Sequence, residues 1–470
     1  MSKNDQITTE ERARRRAVIF VILLASFLPS FAGGALNVSI PVIGIEFHSS
    51  TASLGWILTA YSISAVSLML PLGRLADLTS KRNVLIIGLV IFCVLHAVAI
   101  FVDSLPLLIL LRVLQGVGSA CMFATNQAIL ADAFPFEMRG RVLGMSVAAV
   151  YVGLSVGPVL GGLITRHLGW RWIFAFIAIL AAVSAIVAIA KLPKKTLAPR
   201  TESLGTLIDS GGTILYMTGI IALMYGAMKI TQNWWSYAIL GLGVVLLVVF
   251  VLYEKGAKSP IVDMNMFKGN PNFLLSNLAA LFNYGATFAV SYLLSIYLQM
   301  VKGIGPDISG IILITAPLMQ AIVSPFAGRL SDKKSPFAIA SFGMAMCTVA
   351  LISFIFVGSD AALIHIILSL VVVGVGFGLF SSPNTNAIMS LAAPEHYGIT
   401  ASFVSTMRNV GQSLSMCAIT VIMNVFIGRT PIDEATIPQI TSSMRTAFIA
   451  FAIVCAVGVF ISMNRKPADK

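Results

Sequence analysis

Apolar runs of about 20 residues recur along this chain from end to end, separated by short polar gaps. Each run is long enough to cross about 30 Å of hydrocarbon as a helix. Backbone in lipid must satisfy its own hydrogen bonds, so only helices or closed barrels can span it, and the alternation that barrel strands need is absent. The fold class is therefore all-α integral membrane. Composition agrees, with 57% hydrophobic residues, 11% charged and a mean hydropathy of +0.92, against about 25% charged in a soluble domain.

Fourteen spans are predicted, at roughly 17–40, 54–73, 83–101, 106–131, 141–165, 171–190, 207–228, 235–253, 273–298, 307–328, 337–357, 361–390, 399–427 and 445–463. An even count puts both termini on one side. The segments on that side carry most of the Lys and Arg, including Arg14, Arg15, Arg16, Lys194, Lys195, Lys333 and Lys334. The opposite loops hold Arg166, Arg171, Lys229, Lys302, Arg429 and Arg445. Positive charge favours the cytoplasm, so both termini are expected there, in a multi-pass protein of the plasma membrane. The net charge of +12 is thus a topology signal, and no nucleic-acid partner is expected. The five Cys lie in apolar runs without metal or disulfide spacing, so neither a metal nor a cofactor is expected.

One polar stretch occurs twice. Gly73-Arg74-Leu75-Ala76-Asp77-Leu78-Thr79-Ser80-Lys81-Arg82 joins the second and third spans, and Gly328-Arg329-Leu330-Ser331-Asp332-Lys333-Lys334-Ser335 follows the tenth. A second echo links Pro135-Phe136-Glu137-Met138-Arg139-Gly140 to Pro394-Glu395-His396-Tyr397-Gly398. Internal repeats of membrane helices are the usual frame of a transporter. The repeat leaves spans seven and eight without counterparts. The expected domains are a six-helix bundle over 1–195, an inserted pair with its linkers over 196–265, and a second six-helix bundle over 266–470. An Asp at a helix end can pair with a helix N-terminus and release it, so Gly73, Asp77, Lys81, Arg82 and Asp332 are expected to form a conformational latch.

At these residues the chain resembles the major facilitator superfamily, specifically its fourteen-helix drug:proton antiporter branch. The loop motif is matched by Gly73, Leu75, Ala76, Asp77, Lys81 and Arg82, with departures at Leu78 and Ser80, where the family usually has Arg and Gly. Arg112, in Leu111-Arg112-Val113-Leu114-Gln115-Gly116, matches a family Arg implicated in proton coupling. Gly153, Gly157, Pro158, Gly161 and Gly162 match the string regarded as characteristic of the family's antiporters; glycines four apart also give a flat face for tight helix contact. Asn37-Val38-Ser39-Ile40-Pro41 resembles the end of the branch's helix-1 motif, but Ala32 stands where that motif usually has Asp.

No Asp or Glu lies deep in a predicted span, since Asp132, Asp209, Asp307 and Asp332 are all near ends. Asp132 is the expected proton carrier, with His96 and His365 as outsiders. Intramembrane polar residues usually face a cavity or bond neighbouring helices. The expected substrate cavity is lined by Asn37, Gln115, Asn126, Asn283, Tyr284, Asn384, Asn386, Arg408 and Gln412. There is no nucleotide-binding P-loop and no arranged nucleophile, base and oxyanion site, so the chain reads as a secondary transporter and not an enzyme. The resemblance implies export of small amphipathic molecules coupled to inward proton flow, by a monomer whose partners are its substrate, protons and the bilayer. The alternative is an exporter or flippase of an anionic metabolite or lipid, using Arg112 and Arg408.

Overall fold

The computed structural model describes residues 9–48, 54, 56–193, 209–229, 233–257, 259–262, 270–427 and 437–465. Lys194, Lys195 and Arg429 lie outside them, as does the side chain of Asp307. Among the described residues, 14 helices are long and apolar enough to cross a membrane. They are α1 (Thr9–Glu46), α2 (Trp56–Leu78), α3 (Lys81–Ala99), α4 (Leu105–Ala133), α5 (Phe136–His167), α6 (Arg171–Lys191), α7 (Ser210–Lys229), α8 (Trp235–Glu254), α9 (Pro271–Val301), α10 (Ile308–Ser331), α11 (Pro336–Ile355), α12 (Leu363–Ser390), α13 (Tyr397–Ile427) and α14 (Ile437–Met463).

Local sequence explains several boundaries. Ser80 caps α3 by accepting from the N–H of Asn83, and Asn270 does the same for α9 from Phe273, each satisfying one orphan donor of a helix start. Pro106, Pro271 and Pro336 occupy first turns, where a missing N–H costs nothing. Pro71 and Pro325 lie inside α2 and α10, just before the two polar repeats.

Helices α1–α6 pack around one apolar core that includes Ile22, Leu28, Phe31, Phe92 and Phe174. Helices α9–α14 pack around another, including Phe354, Phe380 and Phe448. Lipid tails are as apolar as Leu, so helix association in a bilayer relies on close packing at small residues. The α1–α5 contact follows that rule. A Cβ on Gly153 would lie 2.8 Å from the Phe27 carbonyl, on Gly157 3.0 Å from the Phe31 carbonyl, and on Gly161 2.5 Å from Ala35 Cα. Gly162 is less confined, with Val38 Cγ1 3.6 Å away.

The two bundles meet along α2–α13, α4–α13, α5–α10 and α5–α12. The inserted helices pair with each other, and α7 lies against both α2 and α13. Tyr216 of α7 donates to the Val66 carbonyl of α2 at 3.1 Å and sits 3.3 Å from Thr406 Oγ1 of α13. One side chain thus touches both bundles.

Candidate functional site

At the end where α2 finishes and α13 begins, Asp77 accepts from two backbone N–H groups, Gly398 to Oδ1 at 2.7 Å and Ile399 to Oδ2 at 2.8 Å. Its carboxylate thus occupies the N-terminus of α13, where unpaired donors and the helix dipole favour an anion. The second copy does the same in the other direction. Asp332, after α10, accepts from Gly140 at 2.6 Å and Arg141 at 3.0 Å, at the start of α5. Burial raises the Asp332 carboxyl above the ordinary carboxylate range, against the two N–H bonds and the Arg141 charge. Backbones must approach closely for these bonds. A Cβ on Gly73 would lie 2.7 Å from the Gly398 carbonyl, and Gly140 and Gly328 leave each other no room for one.

Lys81 organises the first latch. Its Nζ lies 3.0 Å from Asp132, 3.7 Å from Asp77 and 3.0 Å from the Pro394 carbonyl, and packs 5.1 Å from the Tyr397 ring centre. Asp132 is therefore an ion-pair partner within the latch, at the end of α4 rather than deep in the bilayer. Arg82 points elsewhere and donates to the Ile189 and Leu192 carbonyls at the end of α6. The expectation that it belongs to the bundle-to-bundle latch is corrected, because both acceptors belong to its own bundle.

Between the bundles a small polar pocket is lined by Ser26, Phe123, Asn126, Gln127, Ser146, Val147, Val150, Ser405 and Arg408. Its volume of about 10 Å³ is close to the space of one water. Asn126 Nδ2 donates to Ser26, which is 2.8 Å from Ser146, so α4, α1 and α5 are joined there. Asn126 Oδ1, Gln127 Oε1 and Ser405 Oγ are buried without a hydrogen-bond partner. The Arg408 guanidinium lies 4.9 Å from the Phe123 ring centre. Arg408 is the one charged residue in the described lining, and no carboxylate faces it there. The open amide oxygens suit a hydrogen-bond donor and the Arg408 guanidinium suits an acceptor or an anion. Beside the pocket, Tyr151 of α5 and Tyr284 of α9 pack edge-on to Phe377 of α12, at 5.4 and 5.1 Å.

Several expected cavity residues lie elsewhere. Arg112 is fully buried inside the first bundle, donating to the Ile57 carbonyl and Gln115 Oε1 and lying 4.1 Å from the Tyr61 ring centre. Gln115 bonds the Leu95 carbonyl. Arg408 meets α4 at Phe123, 11 residues beyond Arg112, which is about 16 Å along a helix. The idea that the two arginines act together on one group is corrected by that separation. Asn384 and Asn386 are also corrected: Asn384 binds Arg465 and the Ser276 carbonyl, and Asn386 donates to Ser331 beside the second latch. Asn283 is buried in the second bundle, Gln412 is half-buried and Asn37 is exposed. Tyr284 bonds Ser381 at 3.0 Å. Ser26, Phe123, Gln127 and Ser146 were not expected in the pocket; Gln127, next to Asn126, was readable only as one more polar residue in an apolar span.

Two bundles latched at one end over a polar central pocket define a membrane carrier. The sequence places it within a known group. The family model of the Major Facilitator Superfamily matches residues 22–416, and this chain belongs to that family. It is 29% identical to the riboflavin transporter RibZ of Clostridioides difficile strain 630, over 95% of this chain and 96% of that one. It is 27% identical to the puromycin resistance protein pur8 of Streptomyces alboniger, over 95% and 90%. It is 26% identical to multidrug resistance protein 3 of Bacillus subtilis strain 168, over 90% and 82%. The crystal structure of the human organic anion transporter MFSD10 (TETRAN) superposes with a TM-score of 0.67 at 14% identity, covering 96% of this chain and 99% of that one, which shows the shared fold. The chain is a non-enzymatic transporter related to multidrug-resistance proteins.

Proposed function

We propose that this chain exports small amphipathic compounds across the plasma membrane by alternating access, as a monomer with both termini cytoplasmic. Residues 1–195 and 266–470 are the two rocking bundles, with 196–265 as the inserted pair. The observation that carries this reading is the reciprocal latch, in which Asp77 and Asp332 each hold the first turn of a helix in the opposite bundle. Such bonds are strong enough to hold one state and local enough to be broken in a cycle. Inward proton flow drives the cycle. Its supports are the carboxylates of Asp77, Asp132 and Asp332 at the latched end, and the raised affinity of Asp332 for a proton. The glycine face of α5 fixes α1 to α5, so those helices move as a unit.

The central pocket favours a narrower substrate class. A permanent cation would meet Arg408 with no carboxylate in the lining. A neutral or anionic compound that also bears a hydrogen-bond donor would complement Arg408 and the open carbonyl oxygens of Asn126 and Gln127 once the bundles part. The relative named for riboflavin is compatible with that class. The test is flux in proteoliposomes under an imposed pH gradient, with riboflavin, an organic anion and a cationic dye side by side. Flux of the first or second that is lost in Arg408→Ala supports the reading. Dye-driven flux that survives Arg408→Ala overturns the narrower class, and no gradient-dependent flux of any probe overturns proton-coupled export.

A further inference from the structure

The inserted helices carry a pair of carboxylates that neither the latch nor the central pocket uses. Glu254 ends α8 and is 2% exposed; Asp209 immediately precedes α7. Glu254 Oε2 accepts from the Val262 N–H at 3.1 Å, and Asp209 Oδ1 accepts from the Gly212 N–H at 3.1 Å and from the Tyr253 hydroxyl at 3.3 Å. The remaining oxygens, Glu254 Oε1 and Asp209 Oδ2, are both shut off from solvent and both lack a hydrogen-bond partner. They converge, since each lies within 2.8 Å of the point that a Cβ on Gly212 would occupy. The Arg74 guanidinium of α2 also acts on Glu254, and Lys255 follows it in sequence.

Two ionised carboxylates in this arrangement would repel each other, with two solvent-shielded acceptor oxygens facing and no hydrogen-bond donor on either. One proton resolves both problems, because it removes a charge and supplies the missing O–H donor. We infer that Glu254 and Asp209 form a proton-binding site, sharing one proton between Oε1 and Oδ2. The pair then carries a single negative charge beside Arg74.

The location gives the site its consequence. Arg74 lies three residues before Asp77 in the first latch, and α7 packs on both α2 and α13. A second deprotonation would place two like charges across the foot of the α7–α8 contact and push the two helices apart there, beside α2. The site therefore reports pH at the seam between bundles, independently of the central pocket and of which substrate is carried.

The test uses the full-length protein in lipid nanodiscs and needs no substrate. Infrared difference spectra across a pH titration should show a protonated carboxyl band at neutral pH that disappears in both Glu254→Gln and Asp209→Asn. The wild-type Tm should fall as pH rises from about 6 to 9, and the fall should be flattened in Glu254→Gln. Loss of the band in each variant separately is the expected signature of a shared proton. A wild-type spectrum with no protonated carboxyl at neutral pH overturns the inference without any variant. So does a band whose intensity neither substitution reduces.

Discussion

Asp77 and Asp332 stand in reciprocal positions, one holding the first turn of α13 from α2 and the other holding the first turn of α5 from the end of α10. Each bundle thus grips the other by a carboxylate and is gripped in return. Replacing either Asp by Ala removes a side chain that satisfies two backbone donors at a helix start, worth about 0.5–2 kcal/mol. Each single variant should therefore shift the latched population by several-fold. Double electron–electron resonance between labels at the outer faces of α2 and α13 should show a longer distance in Asp77→Ala. An unchanged distance distribution in both variants would remove the latch from the mechanism.

Arg112 and Arg408 should separate experimentally. Arg408→Ala should abolish flux with little effect on Tm, and Arg408→Lys should restore part of it. Arg112→Ala leaves the Ile57 carbonyl and Gln115 without their buried donor, a loss of about 1–3 kcal/mol, and should lower Tm before it alters substrate selectivity. Thermal melts and transport on the same preparations decide between them.

The glycines of α5 predict a graded response. Gly161→Val drives its Cβ into Ala35 and should cost about 1–3 kcal/mol or more, visible as loss of monodisperse protein in size-exclusion chromatography. Gly162→Ala meets Val38 only at van der Waals distance and should be tolerated. Equal damage from both would mean that α1 and α5 pack differently.

At the opposite end of the molecule, Glu46 accepts from Trp170 Nε1 at 2.6 Å and from Arg171, which also reaches Asp103. Partial burial pushes the Glu46 carboxyl up, but the bonds from Trp170 and Arg171 outweigh it and hold the group below the usual range. A depressed folded pKa stabilises the fold above the ordinary carboxylate value and loses that contribution as pH falls through the depressed value. Glu46→Gln should lower Tm at neutral pH and flatten the acid limb of a Tm–pH curve. An acid limb identical to wild type would show that the contact is not maintained in the bilayer.

Span number, the repeated polar stretch and the glycine face were all legible in the sequence, because each rests on spacing along one helix. The partners of Asp77 and Asp332 were not, since Gly398 and Gly140 are donors only through backbone that another helix brings near. Arg112 and Arg408 read alike as buried cations. Their difference comes from helix rotation, which turns Arg112 toward α2 and Arg408 toward the seam. Asn384 looked like a cavity amide because its partner Arg465 lies far away in the chain, at the end of α14. Ala32 is fully buried in the apolar core of the first bundle, so the missing helix-1 carboxylate leaves no gap that packing would reveal.

Tyr216 gives the molecule a left and a right. On its side, α7 is strapped across α2 and α13, so those helices part only by stretching or carrying the strap. Among the described residues, no inserted helix lies across the α5–α10 seam in the same way. A hinged book opens at the edge away from its spine, and α7 makes the α2–α13 edge the spine. Tyr216→Phe would loosen the spine and make the two edges more alike.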